Sequence, residues 1–357
     1  MANSRTGYLA VKKESSVATP VKPTNFIPFK DGQIQYNQEI IENNPIKGVR
    51  WNAQQSVAWK VQTDGTYNLD LDASSVGYLL LIALGGYTKT SPASGVYEHV
   101  FNVANTLPSL SLEQLKGTPN GADSEVSRAF GVMLDSLEIS ASDGIVNVSP
   151  SVKAHGIFLK GDLQADAAAG TGVVQDVKPT EGLVTGDSVK ITDKTNSVTE
   201  DISLTAVTKT SLTSDLTNSY AAADKVKYEL KPQTPSYTCD NTVFTFSNVS
   251  FQFGADLTAA ASAAEENVEN WSFTYNNQLE ERFGSLRDTP SVIAPKGAGG
   301  MVKYTKFFES LEDRDRYLDS TRQACIITLD LGKKVGASTY NYKIQILLND
   351  LDLQRTI

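Results

Sequence analysis

Alternation of apolar and polar residues is the most persistent pattern along this chain. It is clearest between Trp59 and Gly86, where Ser56–Val61 and Tyr67–Leu71 alternate on either side of Thr63–Thr66. Two alternating runs separated by a tetrapeptide that contains glycine are typical of a β-hairpin. The pattern therefore predicts a hairpin whose turn lies at residues 63–66.

A short apolar run follows the hairpin and predicts a helix over Val76–Leu84. Asp72 and the serines at 74 and 75 offer side-chain oxygens to the first amides of this helix. Gly85 and Gly86 come next, and glycine readily adopts the left-handed conformation that ends a helix. The sequence thus predicts a hairpin-helix unit with a defined start and stop.

The first third of the chain otherwise predicts strands and two polar segments. Residues 1–25 are polar, carry prolines at 20 and 23, and predict an extended N-terminal arm outside the core. Residues 38–54 predict a long polar connection, of a length that usually serves function or an interface. Strands are predicted at Val96–Val103, Ser109–Leu115, Ala129–Ser140 and Gly144–Lys153, the last two around an Asp143-Gly144 turn.

Composition divides the chain into four parts: the arm (1–25), a first β module (26–161), an insertion (162–234) and a second β module (235–357). The insertion contains no Phe, Trp, Cys or Met and is rich in Thr, Ser, Ala and Asp. Short alternating runs remain in it, so it is predicted to be a small, lightly packed all-β unit. Those runs are Ser188–Thr192, Ile202–Val207, Leu212–Leu216 and Val226–Leu230.

The two modules share an order of elements, which predicts a duplicated, mainly β (α+β) chain with one helix flanking each module. The second helix is predicted over Leu311–Gln323, capped by Ser310. Cyclic assembly of a duplicated chain would give a ring with twice as many modules as chains. The matched segments are Phe29–Ile40 with Phe246–Leu257, the hairpin-helix unit with Ser291–Val292, Met301–Phe307 and Leu311–Gln323, Ser109–Glu113 with Ile327–Leu331, and Val132–Ile139 with Ile346–Leu353.

Composition and charge narrow the classes of function. The 357 residues are 40% hydrophobic with a mean hydropathy of −0.25, which is ordinary for a soluble protein. The N-terminus lacks an apolar run of signal-peptide length, and Val76–Leu84 is too short to span a bilayer. A formal net charge of −9 argues against a protein that grips the nucleic-acid backbone, because such a protein needs a basic face.

No pattern of residues predicts catalysis, a cofactor or a metal. The two histidines, His99 and His155, lie in strand-like runs without a paired nucleophile. Cys239 and Cys325 are too few for a disulfide framework or, with the histidines, a zinc site. The other candidates are interpreted as structural: the charged run 312–319, the carboxylate pairs Glu265-Glu266 and Glu280-Glu281, Gly297–Gly300 before a strand, and Gly332–Lys334. The chain is therefore expected not to be an enzyme.

Several stretches together resemble the major tail (tail tube) proteins of long-tailed siphophages. They are GYLAVKKESSVATP followed by NFIPF, the polar 38–54 segment with Arg50, the helix ending LLLIALGG, and the pair SLEIS and NVSPSVKAHG. The resemblance covers residues 1–160 and 237–357, and 162–234 resembles the surface insertions that such proteins sometimes carry. It implies a tail-tube β-sandwich or barrel fold with a flanking helix, assembled into stacked rings that form a hollow tail for DNA.

The resemblance also implies the partners and the location. The chain would bind itself, as a trimer with pseudo-sixfold symmetry if duplicated and otherwise as a hexamer. It would also meet tail tip and tail terminator proteins and a tape-measure protein, and let DNA pass without specific binding or membrane insertion. It would be made in the host cytoplasm and reside in the virion tail. The arm, 38–54 and 258–290 are the expected contacts between rings, and carboxylates are expected on the channel strands.

Two other functions remain open from the residues. One is a receptor-binding or adhesin-type phage tail protein, in which 162–234 would recognise a surface ligand. The other is a carbohydrate-active enzyme, which would need a cleft with paired carboxylates that the sequence does not reveal.

Overall fold

Strands account for most of the structure, so the fold is mainly β, as the alternation predicts. The computed structural model of the chain describes residues 7–43, 55–117, 124–237, 242–266, 268–285, 288–306 and 322–351. Its helices are α1 (Val76–Leu84) and α2 (Leu257–Ser262), with 3₁₀ turns at Ala222–Asp224 and Phe246–Asn248. Its strands are β1 (Tyr8–Lys13), β2 (Asn25–Ile27), β3 (Asp31–Asn43), β4 (Gln55–Asp70), β5 (Gly85–Ala93), β6 (Val96–Val103), β7 (Leu110–Lys116), β8 (Glu125–Ala141), β9 (Asn147–Ala154), β10 (Gly156–Phe158), β11 (Gly161–Leu163), β12 (Gly170–Lys178), β13 (Ser188–Asp193), β14 (Val198–Ser203), β15 (Ala206–Val207), β16 (Ser211–Leu216), β17 (Lys227–Leu230), β18 (Val249–Gly254), β19 (Val268–Asn276), β20 (Leu279–Phe283), β21 (Pro290–Pro295), β22 (Gly299–Lys306), β23 (Gln323–Lys334) and β24 (Asn341–Leu351).

The largest sheet divides into two layers along the long strand β8. Residues Glu125–Val132 of β8 pair with β7, and this half completes a five-stranded layer in the order β2-β1-β7-β8-β10. Residues Met133–Ala141 pair with β9 and β19, and this half completes a six-stranded layer in the order β3-β4-β9-β8-β19-β22. One apolar core, which also includes residues of α1 and of the sheet β18-β23-β24, contains buried side chains from both layers.

Helix α1 begins and ends where the sequence predicts, at Val76 and Leu84. It buries Leu79 and Ile82 in the core, and Gly85 ends it with a φ of +84°. The predicted side-chain cap is wrong, because the Asp72 carboxylate does not bond to the helix amides. Its Oδ1 instead accepts bonds from the backbone N–H and the hydroxyl of Ser74, and so holds the turn before the helix.

The predicted hairpin turn at residues 63–66 is wrong. Strand β4 runs from Gln55 to Asp70 without a turn, and its hairpin partner is β3. Gly65 is required for another reason: a Cβ there would lie 2.6 Å from the carbonyl oxygen of Gln33 on β3. A glycine at a close backbone approach and a glycine in a turn look alike in a sequence.

Two segments predicted to lie outside the core are strands in part. Residues Tyr8–Val11 of the predicted arm are buried, and β1 pairs with β2 and β7. The sequence does not predict this strand, because its apolar run is only four residues long and has polar residues on either side. Residues 38–43 of the predicted connection continue β3 and pair with β4. Residues 38–41 are exposed on both faces, where no alternation is needed. Residues 44–54 lie outside the described part of the chain.

Residues 161–230 form a separate seven-stranded sheet in the order β14-β13-β17-β11-β12-β16-β15. Three of the predicted runs coincide with β13, β16 and β17, whereas Ile202–Val207 is divided between β14 and β15. The apolar side chains of this sheet share a second core with residues of the five-stranded layer, among them Tyr8, Leu115 and Val126. Most of the buried side chains in this core belong to the insertion itself, and the five-stranded layer contributes the rest.

A buried arginine joins this seven-stranded sheet to the five-stranded layer. Arg128 on β8 donates to Glu113 on β7 at 2.6 and 3.0 Å, and to Asp187, which precedes β13, at 2.5 and 2.9 Å. Burial lowers the pKa of the guanidinium, but its bonds to Asp187 and the charge of Glu113 outweigh burial and raise that pKa overall. The Tyr8 hydroxyl donates to Glu113 at 2.5 Å, so the network also reaches β1.

The two halves repeat a strand order, although the order differs from the predicted matches. Strands β18-β23-β24 follow the same order as β1-β7-β8, and the hairpins β3–β4 and β19–β22 lie at opposite ends of the six-stranded layer. The match of Phe29–Ile40 with Phe246–Leu257 is therefore wrong, because β18 pairs with β23 and corresponds to β1.

A second match is wrong by one residue. Leu110 lies opposite Val132 in the first half, and Ile327 lies opposite Ile346 in the second. These pairings place Leu110 at the position of Ile327, whereas the predicted match places Ser109 there. A shift of one residue would exchange the buried and exposed faces of the strand. Of the predicted second helix, residues 311–321 lie outside the described part of the chain, and Gln323 instead begins β23.

Replacing Arg128 with methionine is expected to destabilise the monomer by about 3–5 kcal/mol, because it leaves two buried carboxylates without a cation. Denaturant unfolding of the purified variant measures the effect. The matched control is Lys231→Met, which removes the exposed ion pair with Asp201 and should change stability by less than about 1 kcal/mol. An equal, small loss in both variants would show that the network does not anchor the insertion.

Candidate functional site

One face of the six-stranded layer, the polar face, is covered by short polar side chains. Cross-strand register places them side by side: Ser136 opposite Asn276, Glu138 opposite both Ser149 and Thr274. The opposite face of the same strands is buried in the core. The polar face comprises Gln33, Gln35 and Asn37 on β3, Asp64, Thr66 and Asn68 on β4, Asn147, Ser149 and Ser151 on β9, Ser136, Glu138 and Ser140 on β8, Ser272, Thr274 and Asn276 on β19, and Met301, Lys303 and Thr305 on β22.

The polar face arises directly from alternation, since side chains point to opposite sides of a strand at successive residues. Its hydroxyl and amide groups bond to one another across strands. Ser149 donates to Asn68 at 2.9 Å, and Asn37 donates to the Asp64 carboxylate at 2.7 Å. The surface is thus wide, hydrogen-bonded and almost free of large apolar groups.

The polar face is close to electrically neutral. Lys30 lies at its edge, 2.5 Å from Asp70 and 2.9 Å from the amide oxygen of Asn147. Lys153 is 4.0 Å from Asp135. Among the described residues on or beside this face, three ammonium groups stand against five carboxylates: Lys30, Lys153 and Lys303 against Asp31, Asp64, Asp70, Asp135 and Glu138.

At one rim the polar face meets the hairpin β20–β21. Gln62 donates to Glu281 at 3.1 Å, and the Val61 N–H donates to the carbonyl of Asp288 at 2.7 Å. Burial raises the pKa of Glu281, and the charge of Lys153 opposes that rise. These bonds fix the point at which β3 and β4 leave the body of the protein.

Beyond that point β3 and β4 continue as a two-stranded ribbon with exposed apolar side chains. On β4, Val57 and Trp59 are 58% and 52% exposed. A β-bulge between Gln38 and Ile40 shifts the register here, so that Ile40 pairs with Ala58 on the face of buried Val61. Ile41 lies directly opposite Val57, and Ile40 is also exposed. Exposed apolar side chains are therefore found on both faces of the ribbon beyond the core, as is typical of an interaction surface.

A second exposed hairpin, β5–β6, carries His99. Its Nδ1 lies 2.9 Å from the Tyr87 hydroxyl, and the two rings stack at 5.8 Å. The other histidine, His155, is buried against Gly131 and bonds to the carbonyl of Pro290. The histidines thus lie on different elements, each with a structural partner.

The remaining candidates have structural partners as well. Glu266 pairs with Lys306 at 2.6 Å, and the bond from Arg282 lowers the pKa of Glu280. Burial raises the pKa of the Cys325 thiol to about 12. Gly297–Gly300 leads into a strand as predicted, and Gly332–Lys334 ends β23. Cys239 and the run 312–319 lie outside the described residues.

Neither a metal-binding cluster nor a membrane-spanning helix is present in the described residues. They contain no cluster of three or more His, Cys, Asp or Glu side chains fit to hold a metal ion. None of the helices within them is long and apolar enough to cross a membrane.

Comparison with known proteins agrees with the strand-rich architecture. Residues 4–321 match a family model described as "Phage tail tube protein". No curated protein matches the chain.

Proposed function

The chain belongs to the phage tail tube protein family, and on that premise we propose that its copies form stacked rings around a channel through which phage DNA is delivered. Membership confirms the resemblance to tail tube proteins drawn from the sequence. It supports a structural, non-enzymatic protein of the virion tail that assembles with itself into a tube. The stacked rings and the passage of DNA are the proposal.

The polar face is the observation that carries the proposal, and we assign it to the channel wall. Its short hydroxyl and amide side chains bind water and project little from the sheet. A basic wall would retain the duplex by releasing counterions from its phosphates. The small excess of carboxylates over ammonium groups on the polar face avoids this and agrees with the expectation of carboxylates on the channel strands.

The apolar ribbon formed by the ends of β3 and β4 suits a contact between successive rings. In a monomer its exposed valine, isoleucine and tryptophan side chains would remain in water, whereas a neighbouring ring would bury them. Residues 44–54, which join the two strands of the ribbon, extend the same expected contact. The 258–290 stretch, which includes β20 at the base of the ribbon, belongs to it as well.

The proposal also includes the arrangement of the modules, the position of the insertion and the partner proteins. Modules 26–161 and 235–357 would place two quasi-equivalent units in each chain, giving a trimeric ring with pseudo-sixfold symmetry. The insertion, 162–234, would lie on the outer surface. Tail tip, tail terminator and tape-measure proteins are the proposed partners, with synthesis in the host cytoplasm.

Purified protein is expected to form long hollow filaments in negative-stain electron microscopy. Filaments are the direct product of rings that stack, so their absence would count against the proposal. Compact trimers in the same images would instead favour a receptor-binding or adhesin-type tail protein.

Lysines on the polar face are expected to make preassembled tubes bind DNA inside the channel. The test variant is Thr66→Lys with Thr274→Lys, and the matched control places two lysines on the insertion, Thr199→Lys with Ser203→Lys. Because only DNA with ends enters a channel, the test variant should bind a short linear duplex but not a closed circular plasmid, in a salt-dependent manner. The control should bind both.

Equal binding of linear and circular DNA by the Thr66→Lys, Thr274→Lys tubes would place the polar face on the outside and contradict its assignment to the channel.

Removing apolar groups from the ribbon is expected to stop filament growth without unfolding the chain. In the variant Val57→Ser with Trp59→Ser, filaments should become rare in electron micrographs while the unfolding midpoint of the monomer stays unchanged, since both side chains are already exposed. Val174→Ser, at a residue that is 66% exposed on β12, is the matched control and should leave the filaments intact. Normal filaments from the double variant would rule out the ribbon as the stacking contact.

A further inference from the structure

The hairpin β20–β21 contacts the ribbon at the point where β3 and β4 leave the body of the protein. Strand β9 pairs with β4 only as far as Thr63, and the N–H of Val61, two residues earlier, bonds to the carbonyl of Asp288 just before β21. The hairpin thus takes the place that β9 leaves. Three consecutive residues of β4 contact it: the Lys60 ammonium lies 5.0 Å from the centre of the Phe283 ring, the Val61 N–H donates to Asp288 at 2.7 Å, and Gln62 donates to Glu281 at 3.1 Å.

A β-bulge lies in the ribbon beside these contacts. The register of β3 on β4 shifts between Gln38 and Ile40. Two residues of β4, Trp59 and Lys60, therefore lie opposite the single residue Glu39. A bulge interrupts the ladder of hydrogen bonds and bends the bulged strand, so it is a place where a ribbon changes direction easily. The hairpin β20–β21 thus contacts β4 where the ribbon can bend.

The hairpin itself is fixed to the body. Leu279 and Ile293 bury their side chains in a small apolar cluster with Leu107 and Met133. The Leu279 N–H also donates to the Asp135 carboxylate at 2.8 Å. Bending at the bulge therefore moves the ribbon relative to a hairpin that stays in place.

Glu281 is the ionisable group of this contact, and its surroundings compensate a negative charge poorly. One carboxylate oxygen accepts the bond from Gln62, whereas the other is buried and has no hydrogen-bond partner among the described residues. The groups beside it on the neighbouring strands are Asp64 on β4, Asp135 on β8, Lys153 on β9 and the uncharged Ile293 on β21.

These surroundings favour the neutral form of Glu281. Burial raises the pKa of its carboxyl, Lys153 and Gln62 oppose the rise, and the charges of Asp64 and Asp135 add to it. Lys153 is shared, since its ammonium lies 4.0 Å from Asp135. A carboxyl whose pKa is raised by folding contributes stability at low pH, and that contribution is lost as the pH rises through the raised pKa.

We infer that the hairpin β20–β21 is a proton-sensitive brace for the ribbon, with Glu281 as its switch. With a proton on Glu281 the brace holds β4, and the ribbon keeps one direction. When the proton is lost, the uncompensated charge weakens the contact and the ribbon bends at the bulge. The inference rests on the proposed tube, in which the ribbon contacts the next ring. Because a ribbon held in one direction loses less freedom on contact, tubes should form more readily as the pH falls.

Hydrogen exchange of the unassembled protein tests the brace without requiring tubes. After correction for the intrinsic effect of pH on exchange, the Val61 amide should exchange several-fold more slowly at about pH 5 than at about pH 8. Glu281→Gln keeps the shape of the side chain but cannot ionise, so exchange should be slow at both. The matched control is Glu280→Gln, which removes a carboxylate paired with Arg282 and Lys296, and it should behave as the unmodified chain does.

A second variant acts on the same switch by removing a neighbouring charge. Asp64 raises the pKa of Glu281, so Asp64→Asn should move the change in Val61 exchange to lower pH. An exchange profile that stays pH-dependent in Glu281→Gln, or that does not move in Asp64→Asn, would overturn the inference.

Assembly gives an independent readout. At about pH 8, Glu281→Gln is expected to form tubes at a several-fold lower protein concentration than the unmodified chain, whereas Glu280→Gln is not. Both substitutions remove one carboxylate, so a general loss of repulsion between acidic copies would affect them equally. Equal effects of the two would overturn the inference, whereas the absence of tubes from the unmodified protein at every pH would overturn the proposed function itself.

Discussion

A buried carboxylate holds the bend on which both layers of the protein depend. Glu14, just after β1, accepts bonds from the hydroxyls of Ser109 and Ser111 at 2.5 and 2.8 Å and from the Gly131 N–H at 2.9 Å. Gly131 has a φ of +61°, and a Cβ there would lie 2.7 Å from the ring of His155. Here β8 passes from the five-stranded layer to the six-stranded layer, so this one site fixes how the layers face each other.

Because β8 belongs to both layers, it also determines how the halves of the chain combine. Its second half lies between β9 of the first half and β19 of the second, so the polar face runs without interruption across both. The five-stranded layer faces away from this surface and supports the insertion through Arg128. One strand thus separates the polar face from the side that carries the insertion, which suits the proposed tube wall.

Local sequence patterns correctly predicted the elements whose conformation depends on residues close to them in the chain. Helix α1, the glycine that ends it, and the strands around Asp143 and Gly144 follow from apolar spacing and from the conformational freedom of glycine. The predictions were wrong where the role of a residue depends on contacts that its local sequence does not reveal. Gly65 permits a close approach of β3, and Asp72 bonds to the turn before the helix, and neither role has a signature within a few residues.

The sequence alone determined that the chain is mainly β and that it lacks a pattern for catalysis, because periodicity and composition are properties of the chain itself. Only the tertiary structure decided which strands correspond and which face is polar throughout. Two strands with alternating sequences can be matched equally well after a shift of two residues, because their apolar and polar positions still coincide. The hydrogen-bonded register of the structure allows only one alignment of the strands. That register places Glu138 beside both Ser149 and Thr274, which are distant from each other in the chain, and so creates a polar face that the sequence does not reveal.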